Sequence, residues 1–368
     1  MMKKVSESEL KKLLNTGWQS WSYSSPFTNF IKFPPLNYPP KKIKGFSHLN
    51  LEYESNLKPP AKGWCSWYAY GGRINRDLIM KQTMWFAEHK EVPIEYILVD
   101  GGWCREGDWL NENTRKFPGG MGVLSSDIKK LGFKPGLWIS PFQASPRSRI
   151  VKEHPEWFVK KDGKFIDCLQ LTPFDQHLFY KKYLIDITNP DVRSYLYSVM
   201  DRLLGEYGYE LIKMDFLYAI YFHPELSIED ADLYLRDFLT YVSEKYPNVY
   251  TIGCGCPLVP AIGVVDSMRV GPDILLSPFL QFSSRAKSLD MFIHKKVLKI
   301  VNNRVFTKKY WNIDADAFVC RPTLSHTRRM IKDNMKLIKD SGGNIFLGDD
   351  FTKLSSKRIQ KYVLPLFD

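Results

Sequence analysis

The stretch that decides the fold runs from residue 210 to 254, ELIKMDFLYAIYFHPELSIEDADLYLRDFLTYVSEKYPNVYTIGC. It opens on one short apolar run, ELIKMDF, and closes on another, VYTIGC. Between them Ser227 and Asp230 form a capping-box pattern that leads into Leu235, Phe238, Leu239 and Val242 at helical spacing. The order is strand, helix, strand. Near-continuous apolar character in both runs suits strands covered on both faces, as in a parallel sheet.

The same alternation extends in both directions. Six further runs read as strands: WCSWYAY (64–70), EYILVD (95–100), KPGLWIS (134–140), VVDSMRV (264–270), YWNIDAD (310–316) and NIFLGD (344–349). Asn189-Pro190 predicts a helix start, with Val192, Leu196, Val199 and Leu203 on one face. Asn75 opens another helix, carrying Ile79, Met84 and Trp85. Eight runs alternating with helices predict an α/β fold, a (β/α)8 TIM barrel over residues 59–350. A doubly wound open sheet is the alternative. No GxGxxG follows a strand and no GxxxxGK[ST] occurs, so nucleotide binding lacks its usual signature. Residues 1–58, with the Pro-rich FTNFIKFPPLNYPPKKIKGFSHLNLEYE (27–54), read as a short β-rich N-terminal extension, and 351–368 as a C-terminal helical tail.

Composition narrows the class. Of the 368 residues, 44% are hydrophobic and 14% aromatic, which excludes a disordered chain. Nothing approaches 18 consecutive apolar residues, so no membrane helix is expected. The start, MMKKVSESELKKLLNTGW, lacks an apolar core of the secretory type, and the six cysteines are scattered. Free thiols in a cytoplasmic protein are the expectation. The formal net charge is +12, and residues 285–368 carry 18 Lys+Arg against 8 Asp+Glu. These charges are spaced among apolar residues, as in IKDNMKLIKD (331–340), so they read as solvated or oligomer-facing surfaces rather than a nucleic-acid site.

In a barrel the working residues stand at the C-terminal strand ends. Here those ends carry Trp67, Asp100, Trp138, Asp215, Cys254, Arg269 with Asp273, Asp314 with Asp316, and Asp349 with Asp350. Tryptophan and carboxylate dominate and histidine is absent, which disfavours a His-ligated metal and a Ser/His/Asp triad. Sugar faces stack on tryptophan and carboxylates bind hydroxyls or cleave glycosidic bonds, so carbohydrate chemistry follows. Asp215 ends a buried strand, and Lys213 shares its face, so the ammonium should keep it ionised as a nucleophile or simply pair with it structurally. Asp273 lies in an irregular Gly-Pro-Asp turn that would be unremarked but for a second Asp on another strand, since glycosidases work with two carboxylates. The Asp314/Asp316 pair reads as a buttress, and Asp349-Asp350 as a strand end or helix cap. Cys254-Gly255-Cys256 reads as packing near the site rather than as a redox pair.

Taken together the motifs resemble the α-galactosidases of glycoside hydrolase family thirty-six, in the clan shared with family twenty-seven. They occur in order as GWCSWY (63–68), VDGGW (99–103), GDW (107–109), KFPGGM (116–121), GLWISPF (136–142), HPEW (154–157), IKMDF (212–216), GCGCPLVPAIGVVDSMRVGPD (253–273) and WNIDAD (311–316). The NTGWQSWS segment (15–22) resembles the piece that the family's N-terminal domain brings to the active site. The resemblance implies Asp215 as nucleophile and Asp273 as general acid/base of a retaining exo-glycosidase acting on terminal α-linked galactose. It implies Lys213, Cys254 and Arg269 lining the sugar site, Trp67 and Trp138 as its aromatic walls, Asp100 on the sugar hydroxyls, and Asp108 with Trp109 on the loop that closes the pocket. No cofactor or metal is implied, and the partner is a small carbohydrate. The family usually has Asp-Asp where this chain has Asp100-Gly101, and Asp108 or a water is the candidate to replace the lost carboxylate. Other readings are another α-glycoside, transglycosylation, or a catalytically silent carbohydrate-binding relative.

Overall fold

A computed structural model describes residues 2–21, 45–54, 57–168, 181–274, 284–321 and 326–368. Eight strands form where eight were expected: β1 (Lys62–Cys65), β2 (Tyr96–Val99), β3 (Lys134–Ile139), β4 (Leu211–Met214), β5 (Tyr250–Gly253), β6 (Ser267–Arg269), β7 (Asn312–Asp314) and β8 (Ile345–Leu347). The run 64–70 is strand only to Cys65 and turns helical over Trp67–Tyr70. From β1 to β7 each strand pairs in parallel with the next, and β8 pairs with β1. The ring closes between β7 and β8 through Asn344 N–H on Ile313 O (2.8 Å), Phe318 N–H on Phe346 O (2.6 Å) and Gly348 N–H on Phe318 O (2.8 Å). This closure excludes the open-sheet alternative. Strand residues are buried almost throughout, as near-continuous apolar runs require.

The helices start where the sequence places caps. Asn75 Oδ1 accepts from Leu78 N–H at the head of Arg76–Glu88, and Asn189 Oδ1 from Asp191 N–H at the head of Pro190–Met200. Ser227 and Asp230 make the reciprocal capping box of Ile228–Lys245, whose Leu235, Phe238, Leu239 and Val242 are all buried. Two further helices, Ser284–Arg304 and Arg328–Ser341, precede β7 and β8.

Before the barrel, an eight-residue helix (Glu7–Leu14) is flanked by the antiparallel three-residue strands Met2–Lys4 and Glu52–Glu54. The described part of the extension therefore holds a helix as well as strands. Positions 27–44 of its Pro-rich stretch lie outside the described residues. The tail after β8 is a succession of short helical turns from Phe351 to Leu366. No helix of the described residues is long and apolar enough to cross a membrane.

Candidate active site

Asp215 is the residue after β4, with its backbone N–H on Ile139 O at 2.8 Å. Its carboxylate accepts from Trp138 Nε1 (3.0 Å), from the N–H of Phe216 (2.8 Å) and from the Cys254 thiol. Three strands converge here because Trp138, Lys213 and Ile252 are register partners on β3, β4 and β5. Phe216 takes a left-handed conformation (φ 53°), costly for an aromatic residue, which turns the chain sharply past the carboxylate. Burial pushes the Asp215 pKa up, while the Lys213 charge and the three hydrogen-bond donors oppose that rise. The Cys254 thiol is buried and its pKa is pushed well up, so it stays protonated and donates.

Lys213 does not pair with Asp215 as its position two residues earlier suggested. Its Nζ donates to Asp100 Oδ2 at 3.0 Å, and it acts on Asp215 only through space. Burial opposes the Lys213 charge, but Asp100, with the dipoles and charges around it, holds the ammonium well above the usual lysine range. The Asp100 carboxylate also accepts from Gly101 N–H (2.8 Å) and Cys65 Sγ (3.4 Å), and its own N–H rests on Ser66 Oγ (2.9 Å).

Arg269, at the end of β6, joins two acids. It lies on Asp316 through Nη1 (2.7 Å) and Nη2 (2.5 Å), on Pro272 O (3.0 Å) and on Asp273 Oδ1 (3.3 Å). Asp316 has φ 82° and also accepts from Tyr68 OH, Ile274 N–H and Ala317 N–H. Asp314 accepts from Asp316 N–H at 2.8 Å. The Asp314/Asp316 pair thus buttresses Arg269, and Arg269 positions Asp273. The Asp273 side chain is 53% exposed, so its carboxyl is reachable from solvent. Desolvation by the protein packed beside it pushes its pKa up to about 6, with Asp316 and Asp215 adding to the rise and Arg269 and Lys213 opposing it. Five aspartates share this site with two cations, so holding a proton on one of them relieves the excess negative charge.

The aromatic residues occupy distinct positions. Trp138 forms the floor beside Asp215, and Trp109 packs edge-on against it with ring centroids 6.0 Å apart. Trp103 packs on Trp109 and donates to Trp138 O (2.9 Å). Trp67 begins the helical turn after β1 and is 37% exposed, a position for stacking at the mouth. Asp108 lies apart from this set. Both its oxygens accept from Arg149 N–H (2.7 and 2.9 Å) and Oδ1 also from Ile150 N–H (3.1 Å), so its carboxylate caps the helix Arg149–Glu153. It therefore does not supply the carboxylate missing at Gly101. A Cβ at Gly101 would lie 3.3 Å from Trp138 Cζ3, so the indole ring crowds the side-chain direction there.

Sequence reasoning did not single out Arg304. Fully buried, it donates to Val270 O (2.9 Å), Thr16 O (2.7 Å), Gln19 O (3.1 Å), Thr16 Oγ1 (3.2 Å) and Ser20 O. It thereby ties segment 16–20 to the backbone three residues before Asp273. Ser20 N–H on Cys256 O (2.8 Å) and Leu258 N–H on Trp18 O (2.9 Å) fasten the same segment to the loop after β5. Trp21 then packs edge-on against Phe216 (5.1 Å) and Tyr218 (5.9 Å). A lone Arg in a basic helix gave no signal for this. Among the described residues no group of three or more His, Cys, Asp or Glu is arranged to hold a metal ion.

The family model for melibiase matches residues 64–256, which carry β1 through β5 with Asp100, Asp215 and Cys254. The chain belongs to the melibiase family. Among curated relatives, the α-galactosidase of Escherichia coli is 23% identical over 242 residues, covering 63% of this chain and 30% of the relative. The α-galactosidase AgaA of Geobacillus stearothermophilus is 25% identical over 181 residues, covering 45% and 23%. The chain thus spans less than a third of the length of these melibiase relatives. Among solved structures, the α-galactosidase TtGalA from Thermus thermophilus in complex with stachyose superposes with a TM-score of 0.72. It shares 23% identity and covers 86% of this chain and 67% of its own, a likeness of fold.

Proposed function

We propose that the protein is a retaining exo-glycosidase that hydrolyses terminal α-linked galactose from oligosaccharides or glycosides. The observation that carries this reading is the contrast between two carboxylates. Asp215 is held by three hydrogen-bond donors and faces a buried ammonium, whereas Asp273 is reachable from solvent, with a pKa of about 6. Asp215 attacks the anomeric carbon while protonated Asp273 delivers its proton to the departing glycosidic oxygen. Asp273, now a base, takes a proton from water, which displaces Asp215 and gives net retention. Asp100 and Lys213 form a fixed polar pair for sugar hydroxyls, and Trp67 and Trp138 offer apolar faces for stacking. The Escherichia coli and Geobacillus stearothermophilus relatives are named α-galactosidases, which supports the same reading.

The test is hydrolysis of an aryl α-galactoside. Asp215→Ala is expected to lose activity by more than about a thousandfold, and azide is expected to restore release of the aryl group with a β-galactosyl azide as product. Undiminished activity in Asp215→Ala would overturn the assignment. A second reading, the same machinery on another α-glycoside or in transglycosylation, is favoured by Gly101, where Trp138 crowds the space a carboxylate needs. A panel of aryl α-glycosides separates the two. Sugar binding without turnover by the wild-type protein would instead favour the silent relative.

A further inference from the structure

Beside the sugar site, separated from it by the helical turn Trp67–Tyr70, lies a second cavity of about 610 Å3. Its wall includes Tyr70, Arg73, Arg321, Asp350, Lys353 and Arg358. Arg321 follows β7 and the last three follow β8, so the cavity stands over the strand ends where this fold frequently holds phosphate. Three of the cations belong to the basic final quarter, which the sequence alone assigned to solvated faces. Among the described residues its wall carries four cations and one carboxylate; Lys353 pairs with Asp350 (2.9 Å) and Arg321 with Asp349 behind it (3.0 Å).

Two of these cations, Arg321 and Arg358, are held rather than loose. Arg321 Nη1 donates to Asp349 Oδ1 (3.0 Å) and its side chain is 24% exposed, while Nε and Nη2 make no bond with described residues. Arg358 donates to Cys320 O through Nε (2.7 Å) and Nη2, with its guanidinium over the Tyr362 ring, while Nη1 makes no bond with described residues. The opposite wall is fixed by Gln82. Fully buried, it donates to Tyr70 OH and Asp350 Oδ1, both at 2.7 Å, and accepts from Phe351 N–H at 2.9 Å. Anchored guanidinium groups with N–H donors that no described residue takes, facing a cavity of this size, are matched to an oxyanion.

We propose that this cavity binds an anionic group, a phosphate, sulfate or carboxylate, either as a free ion or carried on the leaving part of a substrate. A free ion needs nothing from the proposed glycosidase activity, and only the substrate-borne case rests on that reading. The probes are inorganic phosphate and sulfate, titrated calorimetrically into the full chain at low ionic strength. Lys353→Glu combined with Arg73→Glu reverses two exposed charges and is expected to weaken binding roughly tenfold or more, since each reversal acts across a few ångströms of solvated cavity. Arg321→Gln, which removes an anchored donor, is expected to weaken it as well. Absence of binding by the wild-type protein, or unchanged affinity in the double variant, would overturn the proposal.

Kinetics then separate the sources. If the anion rides on the substrate, an aryl α-galactoside bearing a ring carboxylate has a lower KM than its neutral counterpart, and Lys353→Glu with Arg73→Glu abolishes that difference. If the ion binds free, the two substrates have equal KM while calorimetry still shows phosphate or sulfate uptake. Failure to cleave either substrate counts against the glycosidase reading alone, because calorimetry does not depend on turnover.

Discussion

At the scale of single residues, the site works by giving identical side chains different surroundings. Asp215 and Asp273 are both aspartates, yet one is saturated with donors and the other is crowded among acids. The pH dependence follows from the signs. Asp273 must be protonated to act as acid, so kcat/KM should fall as pH rises through about 6. Asp215 must be ionised, and burial raises its pKa, so kcat/KM should also fall on the acid side. The expected profile is a narrow bell with a weakly acidic optimum. Asp273→Asn should remove the alkaline limb, with the smallest loss of rate on substrates whose leaving group needs no proton. An alkaline limb that persists in that variant would assign the acid to another group. Neither environment was legible in the sequence. IKMDF and RVGPD identify two aspartates, but the donors to Asp215 include groups at the ends of β3 and β5, and the neighbouring acid that raises Asp273 stands at the end of β7.

At the scale of elements, two contacts connect distant stretches of chain. The short helix Arg149–Glu153 receives no side-chain cap from Ser148 and takes one from Asp108 instead. Asp108→Ala should therefore cost about 1–2 kcal/mol of stability, seen as a lowered Tm, because two helix N–H groups lose their acceptor. A Tm equal to wild type would mean that the cap contributes nothing. The sequence places Asp108 correctly on the loop after β2, but its carboxylate serves the backbone, a choice that depends on where residue 149 lies in space. Arg304 is the second case. Arg304→Met leaves the carbonyls of Thr16, Gln19, Ser20 and Val270 without their shared donor. Loosening the Trp21 segment should admit water beside Asp273 and move the alkaline limb of the pH profile toward the ordinary carboxylate range. Arg304→Lys should restore part of it. A variant that loses stability but keeps the wild-type pH profile would restrict Arg304 to a structural role.

At the scale of the whole molecule, closure of the barrel depends on one tight crossing. A Cβ at Gly343 would lie 2.0 Å from Ile313 O, at the seam where Asn344 N–H bonds that same carbonyl. Gly343→Ala should cost about 3 kcal/mol or more, because backbone rather than a flexible side chain must move. Thermal unfolding of the variant checks this, and an unchanged Tm would show that β7 and β8 can separate at little cost. The eight strands and their helices were legible in the sequence because a buried parallel strand leaves a continuous apolar run and a helix start leaves a cap, both local signals. The motifs likewise marked the aspartates and tryptophans at the strand ends. Local pattern could not say which charges meet. Lys213 turns to Asp100 rather than Asp215, Asp108 turns away from the pocket, Arg304 reaches across to residues 16–20, and basic residues of the final quarter gather at a cavity. Those pairings are set by closure of the ring, which brings together side chains far apart in the chain, and electrostatic and hydrogen-bond energies depend on that separation in space rather than on order in sequence.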